Sequence, residues 1–179
     1  MGAPYSSANI NSNTVAIGHD HDASSFPQPS PYDIYSLGEL AVSTNGQITM
    51  DYTVFASADY VLVVTDRNQF NTFLTNNPES NLEKDSGGNY TGDLDPNSNI
   101  GKDVQAIGQA AYNADPRAGT SNDKLAEIDA NEASLVYLLS TYGTGITLLK
   151  KDSSGQYKAM HFSSSTVNGV NTYSSSPCN

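Results

Sequence analysis

The stretch from Asp51 to Asn76, DYTVFASADYVLVVTDRNQFNTFLTN, leaves this chain fewer options than any other segment. Tyr52, Val54 and Ala56 alternate with Thr53, Phe55 and Ser57. Ser57-Ala58-Asp59 breaks the run, and Tyr60 to Val64 is almost continuously apolar. That order predicts a strand, a tight turn and a buried strand. Asp66 then stands where an N-cap belongs and Gln69 follows three residues later, as in a capping box. Phe70, Phe73 and Leu74 recur at helical spacing, so a short amphipathic helix closes the unit.

Turn chemistry elsewhere predicts more strands. Thr44-Asn45-Gly46-Gln47 carries the Asn-Gly signal of a type I′ hairpin between Leu40-Ala41-Val42 and Ile48-Thr49-Met50. Lys124 to Ile128 and Ala133 to Tyr142 (ASLVYLLSTY) read as strands. Gly143-Thr144-Gly145 turns the chain into Ile146 to Lys150, and Gln156 to Phe162 supplies a further strand. Only Lys102 to Asn113 has the spacing of another short helix. The expected fold is mainly β, an antiparallel, jelly-roll-like β-sandwich with one or two short helices. Its expected limits are residues 33–162, between an extended polar arm (1–32) that ends in FPQPSP and a polar tail (163–179).

The net charge of −11 arises from 8 Lys and Arg against 19 Asp and Glu. Such a chain gains nothing from counterion release on nucleic acid and is repelled by anionic lipid, so neither partner is expected. No apolar run reaches the length of a spanning helix, and the N-terminus has neither a basic region nor an apolar one of signal-peptide type. Gly2 and Ser6 match the myristoylation pattern without a second anchoring signal. The Ser/Thr/Asn-rich surface favours a vacuolar or extracellular setting over the cytoplasm. Eleven tyrosines among those residues favour contacts between proteins, including copies of this chain.

Two sets of residues have the chemistry of ion ligands. Asp93, Asp95, Asn97 and Asn99 alternate with other residues and lead to Asp103, an oxygen-rich register of the kind calcium uses. It departs from an EF-hand loop at Ser98, where glycine belongs, and at Val104, where a bidentate Glu belongs; a solvated Asp/Asn turn is the alternative. His19 and His21 form a His-x-His pair whose imidazoles share one face of an extended segment, a transition-metal spacing that still needs a third ligand. His161 is the other histidine. No nucleophile elbow, phosphate loop or His/Cys/Asp set appears, and no enzyme is expected. Ser121 to Lys124 matches Ser-x-x-Lys only at chance level. Cys178, the one cysteine, is either a free thiol or an intermolecular crosslink.

Tyr52 to Ser57, Val61 to Asp66 and Asn68 to Phe73 together resemble the Golgi-dynamics type of β-sandwich found in exported bacterial proteins. With the Tyr/Ser/Asn surface and Cys178, the chain is also similar to the octin type of fungal vacuolar crystal protein. These resemblances imply a non-catalytic module and regular self-assembly held partly by disulfides. The function expected is therefore a structural protein that assembles with itself, crosslinked through Cys178. The alternative is a calcium-dependent β-sandwich that binds a carbohydrate or a protein.

Overall fold

The computed structural model describes residues 11–21, 26–55, 58–167 and 170–177. Strand β1 (Ala16–Asp20) leads through a short loop to helix α1 (Pro31–Ser43) and then to β2 (Met50–Phe55), which lies beside β1 and parallel to it. Parallel neighbours need a long crossover, and α1 supplies it. Strand β3 (Ala58–Val64) returns antiparallel to β2, and helix α2 (Arg67–Asn76) follows. A 3₁₀ turn (Glu79–Asn81) enters a two-stranded ribbon of β4 (Leu82–Lys84) and β5 (Tyr90–Leu94). Helices α3 (Asn99–Ala114) and α4 (Asp123–Thr141) then form a hairpin, and β6 (Ile146–Lys151), β7 (Tyr157–Val167) and β8 (Val170–Pro177) finish the sheet in the order β1-β2-β3-β6-β7-β8.

The stretch from Asp51 folds as its pattern demands. Tyr60, Val61 and Leu62 are buried in β3, and the Asp66 carboxylate accepts hydrogen bonds from the backbone N–H groups of Asn68 and Gln69 at the start of α2. Phe70 and Phe73 turn inward. The sheet face toward the helices carries Ile17, Leu62 and Leu148, which join Ile34 and Leu37 of α1 and Leu135, Val136, Leu138 and Leu139 of α4 in one core.

The mainly β sandwich is overturned. Among the described residues, four helices and a six-stranded sheet, with a two-stranded ribbon beside it, make a mixed α/β fold, and no second sheet packs on the first to form a sandwich or a jelly roll. The two segments expected as strands between Lys124 and Tyr142 are one helix, α4. The run ASLVYLLSTY satisfies either period, but it continues DKLAEIDANE, whose Ala, Leu, Glu and Lys are good helix formers. Ala126, Ala130 and Ala133 fall on its inner face. The Asn-Gly signal likewise marks a helix end. Asn45 (φ 51°) and Gly46 (φ 75°) close α1, with Thr44 N–H bonded to the Leu40 carbonyl. A type I′ turn and a helix C-terminus both ask for positive φ, so the same pair serves either. Strand β1 lies within the expected arm, and β8 within the expected tail.

The resemblances to the Golgi-dynamics sandwich and to the octin type fall with the sandwich. The self-assembling sandwich crosslinked through Cys178 and the calcium-dependent sandwich module fall with it too. Cys178 itself lies outside the described residues.

Two residues anchor this architecture. Fully buried Tyr60 donates to Glu132 Oε2 on α4 at 2.5 Å, and that carboxylate also accepts from Lys150 Nζ and Ser175 Oγ, both at 2.6 Å. Gly145 (φ 68°) enters β6 where its carbonyl accepts from the N–H groups of Thr65 and Asp66. A Cβ there would run into the Asp66 carbonyl oxygen. We expect Tyr60→Phe to lower unfolding free energy by about 1.5–3 kcal/mol, the worth of a hydrogen bond to a charged group. Gly145→Ala should cost about 1–3 kcal/mol through backbone strain. Urea unfolding checks both, and wild-type midpoints would refute them.

Candidate metal centre

His19 sits near the carboxyl end of β1 and His21 just beyond it, opposite the first turn of α1, where Asp33 is the third residue. Pro31 opens that helix at a position where its missing N–H costs nothing. Asp33 Oδ2 accepts from the Ser30 backbone N–H at 2.6 Å and from Ser30 Oγ at 2.9 Å. A carboxylate at a helix N-terminus is favoured by the helix dipole as well. Both constraints aim Asp33 Oδ1 at His19 Nε2, 3.4 Å away, and leave Oδ2 3.7 Å from His21 Nε2. The two Nε2 atoms are 3.0 Å apart.

The far side of each ring is fixed. His21 Nδ1 donates to the Phe26 carbonyl at 2.6 Å, and His19 Nδ1 donates to Asp51 Oδ1 at 3.3 Å. A carbonyl can only accept and Asp51 is fully buried, so both protons sit on Nδ1. In neutral rings the two Nε2 lone pairs therefore face each other across 3.0 Å. That arrangement calls for a cation between them, a proton or a metal. Donors about 2.0–2.1 Å from a tetrahedral ion stand about 3.3 Å from one another, which is the scale of the separations observed here. The outer partners, Asp51 and the Phe26 carbonyl, orient the rings as supporting groups do in metal sites.

Electrostatics lead to the same place. Burial opposes charge on His19, but Asp33 and Asp51 outweigh it and raise its pKa to about 10. Burial also opposes charge on His21, and Asp33 and the Phe26 carbonyl raise it nonetheless. Burial acts to raise Asp33, yet the two imidazoles and the Ser30 backbone hold it far below the usual carboxylate range.

Among the described residues, this is the group of His, Cys, Asp or Glu side chains placed to hold a metal. His161 lies on β7, exposed and apart from it. The oxygen-rich loop does not gather its carboxylates. Asp95 Oδ1 accepts from Asn97 N–H and Asn97 Nδ2, Asn99 begins α3, and Asp103 Oδ2 accepts from Tyr137 OH and Tyr142 OH at 2.6 and 3.0 Å. Asp93 lines a cleft of about 670 Å³ that also opens onto His21 and Ser30.

Asp33, Ser30 and Asp51 are the site residues that sequence reasoning missed. Ser30-Pro31-Tyr32-Asp33 is a helix-start signal of the capping-box kind and could have placed Asp33. Nothing local marks Asp51 as a partner of His19. Compared with protein-family models, with curated proteins and with solved structures, the chain finds no match.

In the metal-free chain the raised pKa of His19 has a sign. Its contribution to stability is complete below the unfolded value of 6.5 and is lost as pH rises through about 10. We expect the melting temperature in chelator to fall between those pH values and that fall to shrink in His19→Gln. A flat profile in the parent chain would refute it.

Proposed function

We propose that the chain is a metal-dependent hydrolase whose ion, of the zinc class, is bound by His19 Nε2, His21 Nε2 and the Asp33 carboxylate. The observation that carries this reading is the convergence of those donors, one of which, His21, also lines an open cleft. Two imidazoles and one carboxylate suit a borderline divalent ion, whereas calcium takes roughly six to eight oxygen ligands. Three protein ligands leave a position for water, the mark of catalytic sites rather than structural ones. Held by His19, His21 and Asp33, such an ion would supply Lewis-acid chemistry, lowering the pKa of water toward neutrality and polarising the carbonyl of an amide or ester for hydrolysis.

The charge balance narrows the substrate. The described residues that line the cleft include Asp93 and Glu127 and no Lys or Arg, and the whole chain carries −11. Phosphoesters and nucleic acid are repelled by such a surface, and neutral or cationic amides and esters are not. No helix of the described structure is long and apolar enough to cross a membrane. The sequence expectation was of no enzyme; the three-ligand centre beside a cleft is the reason to propose one.

Calorimetric titration of chelator-treated protein tests the centre. Zinc should bind as a single equivalent with Kd below about 1 μM, while calcium gives no saturable heat. His19→Ala, His21→Ala and Asp33→Ala should each lose at least about a hundredfold in affinity, and Asp51→Ala about 10- to 100-fold. Near pH 7 zinc must displace the His19 proton, so the heat will depend on the buffer's ionisation enthalpy. Hydrolysis of a chromogenic ester should appear with zinc and vanish with chelator. Zinc binding that survives all three ligand substitutions would sink the site, and tight zinc binding without zinc-dependent hydrolysis would leave a binding protein.

A further inference from the structure

Several hydrogen-bond donors of the cleft that His21 lines are taken up by the protein. Gln105 Nε2 donates to the Leu94 carbonyl at 3.5 Å and Gln109 Nε2 to Asn113 Oδ1 at 2.9 Å. Tyr112 OH donates to Asp123 Oδ1 at 2.5 Å, and Thr91 Oγ1 to Glu83 Oε2 at 2.9 Å. The two hydroxyls keep only acceptor capacity, and each glutamine keeps its amide oxygen and one N–H. Gln28, only 5% exposed, lines the same cleft, and its amide oxygen has no partner. A buried acceptor without a donor costs about 1–3 kcal/mol, so this one is a standing demand for an N–H.

Charge acts in the same direction. Asp93 has no ion-pair partner among the described residues, and the charge that acts on it is the like charge of Glu83; burial first, and then Glu83, raises its carboxyl pKa. Glu127 has Lys124 at 3.6 Å, and the Lys124 ammonium also lies over the ring of Phe26, a cleft residue, 3.7 Å from its centroid, so Glu127 is already answered and Asp93 is the carboxylate left for a ligand. The cleft therefore keeps one unpaired carboxylate, Asp93, and an unpartnered buried oxygen, Gln28 Oε1, in the same space that His21 lines.

We propose that this cleft binds an ammonium or guanidinium group of the substrate on the Asp93 carboxylate, with the oxygens of Gln28, Gln105 and Gln109 accepting its remaining hydrogens. The site deepens the hydrolase reading and rests on it only in assigning that cation to the substrate. An acceptor-lined wall with an unpaired carboxylate favours cations over neutral groups of the same size and rejects anions.

The test uses three probes of similar size on the zinc-loaded chain at low salt: the acetylated methylamides of lysine, norleucine and glutamate. By NMR titration the lysine probe should bind about tenfold tighter than norleucine, and the glutamate probe should not saturate. Asp93→Asn should remove most of that preference, and Gln28→Leu should weaken the lysine probe about three- to tenfold, with zinc affinity unchanged in both. Asp93 lines the cleft and holds no ion pair among the described residues, so its variant removes no contact that supports the fold. Equal binding of lysine and norleucine probes, no binding of either, or a preference that survives Asp93→Asn overturns the proposal. Zinc titration of the same samples reads the metal centre separately: a cation preference without zinc binding would keep the cleft and lose the hydrolase.

Discussion

Two carboxylates, Asp33 and Asp51, are taken out of water at the carboxyl end of the first strand, and the surrounding fold has to answer for them. An ionised carboxylate buried without partners costs several kcal/mol. Here the partners are two imidazoles, a hydroxyl and a backbone N–H, all within 3.7 Å. That requirement fixes the angle at which α1 leaves β1 and the register in which β2 comes back beside it, since Ile17 must stand opposite Asp51 for His19 to reach the carboxylate. The His19, His21 and Asp33 cluster and the parallel crossover are thus one constraint met once.

The same sheet face carries a second buried charge. His19, Thr53, Tyr60 and Lys150 occupy cross-strand neighbouring positions, a polar row under the helices between the apolar rows of the core. Glu132 descends onto that row from α4 and accepts from Tyr60, Lys150 and Ser175. A purely apolar contact would let α4 slide along the sheet. A carboxylate that must meet three donors from β3, β6 and β8 does not, because each lost bond leaves charge unpaired in a low-dielectric interior. Asp103 does a lighter version of this on the outer side, tying α3 to Tyr137 and Tyr142.

The division of labour follows from these anchors. The candidate ligands come from the end of β1, the residue just beyond it and α1, whose positions are set by the crossover. The wall of the cleft comes from β5, α3 and α4, which are set by Glu132 and the helical hairpin. Asp93 and Gln109 therefore stand on elements apart from the imidazoles, whereas Gln28 shares the segment between His21 and Asp33.

The sequence by itself determined the elements whose signals are local and unambiguous. The alternation and apolar run from Tyr52 to Val64 made the β2–β3 hairpin, Asp66 capped α2, and Gly143 to Lys150 became a turn and a strand. His19 and His21 were legible as a facing His-x-His pair because strand spacing puts both on one face. Tertiary structure decided the rest wherever one local signal served two states: the run ASLVYLLSTY fits a buried strand or a buried helix, and Asn45-Gly46 fits a hairpin or a helix end. It also supplied the partners. Asp33 and Asp51 lie 12 and 30 residues beyond His21, and only the crossover from β1 through α1 to β2 brings those distant carboxylates against the two rings.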